Sequence, residues 1–171
     1  MNIKGYSIPV IIFSFALTIG ILISANWGYK ELAINKPLSQ QLSEIEGVKG
    51  YSINKNTNTV QLEVTLASVD NLQQTYLSIR GTAIPLFGKH NDLSVSLVDN
   101  PNRELLAIWD ELQLAAYQAL VQGDFLTLKE TMNRLTRENK TVDYKITVDS
   151  EFLFIQLHLG DNYLYRVLTR N

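Results

Sequence analysis

Residues 59–66 read Thr-Val-Gln-Leu-Glu-Val-Thr-Leu. Val60, Leu62, Val64 and Leu66 alternate with Gln61, Glu63 and Thr65, a period of two that buries one face of a strand and wets the other. On its N-terminal side, Asn54-Lys55-Asn56-Thr57-Asn58 is wholly polar and turn-prone, the chemistry of a hairpin loop. The stretch 48–53, with Tyr51 and Ile53 on one face, is then the partner strand. Further back, Pro37 opens a helix with Leu38, Leu42 and Ile45 at i, i+4 and i+7, and Gly47 ends it in the left-handed conformation. On the C-terminal side, Ser68 reads as the N-cap of a second helix with Asp70 in its first turn. Its inward stripe is Leu72, Tyr76, Ile79 and Ala83. Gly81 and Pro85 weaken its end, since Pro85 disfavours helical geometry at Ile84. Leu93, Val95 and Leu97 alternate with serines as a third strand. The order is helix, strand, strand, helix, strand.

Asp99-Asn100-Pro101-Asn102 is a turn. The helix after it, 103–122, carries the stripe Leu105, Ile108, Trp109, Leu112, Ala116 and Leu120, and Gly123 closes it. Asp124 caps another helix with Phe125, Leu128, Met132 and Leu135 on one face. Three strands follow, 142–148, 151–159 and 163–169, joined by hairpin loops at Asp149-Ser150 and Gly160-Asp161-Asn162. The middle one is apolar on both faces at its start, with Leu153, Ile155 and Leu157 on one and Phe152 and Phe154 on the other. It is either a central strand covered on both sides, for which the two helices upstream supply one cover, or the owner of an exposed contact face. Phe152, Phe154, Tyr163 and Tyr165 are the candidate interaction surface.

The N-terminus has a different character. Residues 8–27 read Ile-Pro-Val-Ile-Ile-Phe-Ser-Phe-Ala-Leu-Thr-Ile-Gly-Ile-Leu-Ile-Ser-Ala-Asn-Trp, without a charged side chain. As a helix this covers roughly 30 Å, the thickness of a bilayer's hydrocarbon core. Ser14, Thr18 and Ser24 can bond back to the helix's own carbonyls, and Tyr6, Trp27 and Tyr29 stand where aromatic rings favour the headgroup level. The run is longer than the core of a cleaved signal peptide, which favours retention as an anchor over cleavage near Ile23-Ser24-Ala25. The expected organisation is an anchor over 1–29, a neck over 30–36, a first α+β unit over 37–100 and a second over 103–171. The fold class is α+β: an N-terminal transmembrane helix, a helix-strand-strand-helix-strand unit, then two helices and a three-stranded antiparallel meander. The short N-terminal tail suits a single-pass signal anchor with the soluble region outside the cytoplasm.

Of the 15 basic residues only Lys4 precedes the end of the span, so the remainder carries 14 against 17 acidic residues, a net −3. The charges are interspersed and form no basic stripe, which removes support for nucleic-acid binding. The chain has no cysteine, so thiol catalysis is excluded. Its two histidines, His90 and His158, have no local partner at metal-ligand spacing. No nucleophile elbow or phosphate-cradling glycine loop occurs. Glu44 with Glu46, and Asp110 with Glu111, diverge if helical and read as solvated faces. Asn139-Lys140-Thr141 matches a glycosylation acceptor. The expectation is a non-enzyme with no cofactor and no metal; a hydrolase would need one of the histidines within reach of a serine or carboxylate.

The unit over 38–98 resembles the ring-building motif of type III secretion, flagellar and sporulation channel rings. The matching stretches are Leu42-Ser43-Glu44-Ile45-Glu46-Gly47-Val48, where the motif has a helix ending in apolar-x-Gly-Val, the alternating strand 60–66, and Ile84-Pro85-Leu86 leading into Leu93-Ser94-Val95-Ser96-Leu97-Val98-Asp99, like the motif's closing strand. It is similar in the same way to the BON domain, an envelope-associated module. The resemblance covers a little over a third of the chain, and the lipid-attachment cysteine of secretion-ring lipoproteins is missing. It implies a scaffold whose small α+β unit packs against neighbours. The expected function is a membrane-anchored envelope protein acting through protein–protein contacts, its partners being the lipid bilayer and other envelope proteins or itself. The alternative is a membrane-tethered ligand- or signal-sensing domain.

Overall fold

Two three-stranded sheets and the helices against them form the folded mass of the chain, as a computed structural model shows. It describes all residues except 1, 4–5, 31–35, 56–58, 88–91, 138–140 and 171, and all described side chains except those of 2–3, 6–11, 25–30, 36–37 and 92. The neck, part of the first hairpin loop, His90 and most of the Asn139 acceptor motif therefore lie outside the described residues. The chain divides into two compact units, Met1–Gln41 and Leu42–Asn171.

In the first unit, β1 (Asn2–Ile3) and β2 (Tyr6–Ser7) pair as a small antiparallel ribbon, with Ile3 opposite Tyr6. Two-residue strands are too short to show a sequence period. It leads into α1 (Ile8–Lys30), a helix of 23 residues. Every described side chain of α1, from 12 to 24, is exposed, and the large apolar ones are between 40% and 71% exposed. Thr18 Oγ1 donates to Ser14 O at 2.8 Å and Ser24 Oγ to Gly20 O at 2.8 Å, so these hydroxyls are satisfied within the helix. Among the described residues, no helix is long and apolar enough to cross a membrane. Next, α2 (Lys36–Ser43) crosses the boundary between the units, and both Leu38 and Leu42 are buried.

The second unit takes in the end of α2 and then a turn. Gly47 takes φ +87°, and a Cβ there would overlap the Val69 side chain. Only glycine meets both demands without strain. Strands β3 (Val48–Lys55) and β4 (Thr59–Leu66) pair antiparallel, and β4 pairs in parallel with β5 (Asp92–Val98). Parallel neighbours require a crossover, here α3 (Leu72–Phe87). On β4, Val60, Leu62, Val64 and Leu66 are all buried, as the alternation demands.

Two local expectations at α3 are corrected. Ser68 is not the N-cap: Asn71 Oδ1 accepts from Gln74 N–H at 3.2 Å, and no acid lies in the first turn. The helix also runs through Pro85 to Phe87. Pro85 removes only the bond to the carbonyl of Gly81, an exposed residue where water can replace it, while buried Ala83 and Phe87 hold the last turns.

The rest follows its sequence pattern closely. Helix α4 (Arg103–Gln122) starts at Asn102, whose side chain accepts from Leu105 N–H at 2.9 Å, and ends at Gly123 with φ +75°. Asp124 caps α5 (Phe125–Arg137) through Thr127 N–H at 3.1 Å. Strands β6 (Asp143–Val148), β7 (Phe152–Leu159) and β8 (Asn162–Thr169) form an antiparallel meander. One face of it packs Leu153, Ile155, Leu157 and Leu164 against Leu105, Leu112, Ala116, Leu128 and Met132 of α4 and α5. The opposite face meets α3. Tyr76 stands edge-on to Phe152 and Phe154, with ring centroids 5.3 and 5.8 Å away. Strand β7 is thus covered on both sides, with α4 and α5 against its aliphatic face and α3 against its aromatic one.

Candidate functional site

Between β4 and α3 the segment 67–71 belongs to no helix or strand, yet its backbone polar groups need partners. Side chains of β7 and β8 supply them. Tyr163 Oη donates to Leu66 O at 2.8 Å, and Val69 N–H donates to Tyr165 Oη at 2.8 Å. Gln156, itself buried, accepts from Leu72 N–H through Oε1 at 3.0 Å and donates through Nε2 to Val69 O at 2.7 Å. Ala67 N–H turns the other way and donates to Gly47 O at 2.6 Å. Nearby, Asp99 Oδ2 accepts from Tyr165 N–H at 2.7 Å and from Arg166 at 2.8 Å, and Tyr163 N–H donates to Asn100 O. Side chains of the second sheet therefore clamp the β4–α3 connection of the first.

At one end of this clamp sits His158. Its Nδ1 is 3.4 Å from Ser68 Oγ, and its Nε2 is 3.1 Å from Gln156 Nε2 and 3.3 Å from Tyr165 Oη. The ring lies against Tyr165 and Tyr163, centroids 5.8 and 6.3 Å away, and those two tyrosines stack at 5.2 Å. The Gln156 amide is oriented by its two backbone bonds, so its nitrogen, a donor, faces the ring. That assigns the lone pair to Nε2 and the proton to Nδ1. Burial lowers the imidazole pKa below 6.5, against Asp143 and Asp70, which raise it. Burial likewise pushes Tyr165 up to about 12. Both shifts favour the uncharged forms of the imidazole and the phenol within this hydrogen-bonded cluster.

This geometry bears on hydrolysis. His158 does reach a serine, the condition set by the sequence. A serine nucleophile, however, needs a lone pair on the nitrogen facing it and a carboxylate holding the opposite N–H. Here the nitrogen facing Ser68 carries the proton, and an amide N–H stands where the carboxylate belongs. Ser68 accepts from the ring and is not activated by it.

The four residues read as a candidate interaction surface, Phe152, Phe154, Tyr163 and Tyr165, are all buried within the second unit. The structure brings them together on one face of β7–β8, but what they contact is α3 and the segment 66–69 of the same chain. Glu44 and Glu46 fall after the end of α2, not within it, and both border a cleft of about 330 Å³ together with Asp70, Asn71, Gln74 and Thr75. Two more clefts, of about 450 and 340 Å³, lie along α3 and beside Lys129 and Tyr144. All three open to solvent. Among the described residues, no group of three or more His, Asp or Glu side chains is placed to hold a metal ion. Asp110 and Glu111 are exposed on α4.

Sequence reasoning missed Gln156 and the Ser68–His158 contact. One signal was present: Gln156 and His158 share a strand face with Phe152 and Phe154, and an amide on a face this apolar must find a buried partner. No protein-family model matches the chain, and none of the curated proteins matches its sequence.

Proposed function

We propose that this chain is a non-catalytic, membrane-tethered envelope protein that works as an assembly component through contacts of its second unit. The observation that carries the reading is α1. Its described apolar side chains are exposed around the whole circumference, with no polar face to turn towards water. Lipid is the solvent that suits such a surface. Only the side chains of 12–24 are described in α1, short of a full span, so residues 8–11 and 25–27 are taken from the sequence. The 23-residue backbone helix is roughly 34 Å long against about 30 Å of hydrocarbon. In this reading α1 is a retained single-pass anchor spanning about 8–27, with the second unit outside the cytoplasm. The α-β-β-α-β order from α2 to β5 supports a scaffold akin to ring-building-motif or BON-like units. The tautomer at His158 supports the absence of serine hydrolysis.

The test is extraction followed by cross-linking. Membranes carrying the full chain are washed with alkaline carbonate, and the retained protein is then treated with an amine cross-linker. Retention in the pellet and ladders of cross-linked protein are expected. Release by carbonate removes the anchor; purely monomeric protein at high surface density removes the assembly role.

A further inference from the structure

Among the described residues of Leu42–Asn171, the large apolar side chains more than half exposed are Leu114 at 77%, Tyr117 at 55%, Val121 at 86% and Leu126 at 72%. Three of them share one line on α4. Ala107, Leu114 and Val121 are seven residues apart, with Asp110 and Tyr117 between them, and all five are exposed. This a/d-like spacing lies diametrically opposite the buried stripe of Leu105, Leu112 and Ala119. An amphipathic helix with one core-facing stripe needs no second one. Between Glu111 and Asp124 the sequence has no acidic or basic residue, so nothing in this half of the helix repels an apolar partner.

We infer that this outer seam of α4 pairs with the same seam of a second copy, antiparallel about a two-fold axis at Leu114. The inference rests on the tethered reading above and names its partner. Three features select this arrangement. A parallel pair would set Asp110 against Asp110 in the seam, whereas the antiparallel one sets Asp110 opposite Gln118. Ala107, small, then faces Val121, large, and Leu114 meets itself on the axis. At each end Arg103, exposed on the same ridge, faces the turn that carries Asp124. The hydrogen bonds from Thr127 hold the Asp124 carboxyl below the usual carboxylate range, so it is ionised to meet the cation. A lipid surface is the weaker match, because the exposed charges along α4 include Glu104, Asp110 and Glu111, and interfacial helices favour Lys and Arg. The seam offers on the order of 400 Å² per copy, about half of what a stable free dimer buries. Pairing should therefore be weak in dilute solution and populated only where tethering raises the effective concentration.

A chain without cysteine permits a direct test. Full-length Leu114→Cys, Ala107→Cys, Val121→Cys and Arg134→Cys proteins are reconstituted in vesicles of neutral lipid and oxidised mildly. Leu114→Cys should form disulfide dimers at least five-fold faster than Arg134→Cys, whose site is on the exposed face of α5. A mixture of Ala107→Cys and Val121→Cys should cross-link to each other faster than either does to itself. Adding Val121→Asp to Leu114→Cys should slow its dimerisation at least five-fold. Equal rates at 114 and 134, or Val121→Cys outrunning the mixture, would overturn the pairing. So would an environment-sensitive dye at 114 reporting an apolar setting at high dilution in the membrane, which would assign the seam to lipid. Flotation of the same vesicles reads the anchor separately. A chain that fails to float, yet cross-links at 114 in a Val121-dependent way in concentrated solution, keeps the pairing and loses the anchor.

Discussion

The two faces of β7–β8 are built on different physics. Towards α4 and α5 the sheet presents Leu153, Ile155, Leu157 and Leu164, buried aliphatic groups whose contribution is area removed from water. Towards α3 it presents rings, an amide and an imidazole, whose polar atoms are tied to a segment without secondary structure. The first kind of face tolerates reshaping but not emptying, because dispersion and burial have no direction. The second tolerates neither, since each polar atom removed strands its partner in a dry place. Ile155→Ala tests the first face most severely. The side chain is wholly buried, and its loss leaves a cavity, so a cost of about 3–4 kcal/mol is expected in urea unfolding. Ile155→Val should cost only about 1 kcal/mol. If the two cost the same, that face is not a packed core.

On the opposite face the scale should depend on partners and not on volume. Gln156→Leu keeps the bulk but leaves Leu72 N–H and Val69 O unpaired, and about 2–3 kcal/mol of destabilisation is expected. A cost below that of Ile155→Val would mean that water enters the seam and the clamp is open. Tyr165→Phe removes a single oxygen and strands mainly Val69 N–H, for about 1–2 kcal/mol. In that variant, amide exchange at Val69 should accelerate more than at Leu62 in the neighbouring strand.

The contrast also explains what was readable in the sequence. The helix α4 could be read because Leu105, Ile108, Leu112 and Ala116 recur at the helical period and Asn102 and Gly123 punctuate it within a few residues. The strand β4 matched its alternation to the residue. Every signal there is local. The clamp is different, because Val69 finds its partner 96 residues away at Tyr165, and no period encodes that distance. Ser68 followed by Asp70 has the local pattern of a helix start, but the segment is bonded instead by side chains of β7 and β8, and α3 begins at Leu72. The aromatic set is legible in the sequence as either a covered strand face or a contact surface, and its cover is the chain's own α3 and the segment 66–69. Gln156 was the one residue whose chemistry pointed at that answer.

The smallest effect concerns the charge state of His158. Its neutral form accepts from Gln156, and the groups facing the ring are Ser68, Tyr163, Tyr165, Asp70 and the cross-strand neighbour Asp143. Tyr165, raised to about 12, stays protonated throughout the acid range. Because the folded pKa of His158 lies below 6.5, the unfolded chain binds the proton first as pH falls. Stability from this group is therefore complete above about pH 6.5, declines below it, and stops declining once pH has passed the folded pKa. The ring is only partly buried and the two carboxylates oppose the shift, so solvent screening keeps this the smallest of the expected effects. Comparing urea unfolding of the wild type and His158→Gln between pH 7.5 and 5 isolates it, since every carboxylate titrates in both. The wild type should lose more stability across that interval. Identical pH slopes would mean that the imidazole charges as readily in the fold as outside it. The amide of Gln156 would then not fix its tautomer, and Nδ1 could present its lone pair to Ser68.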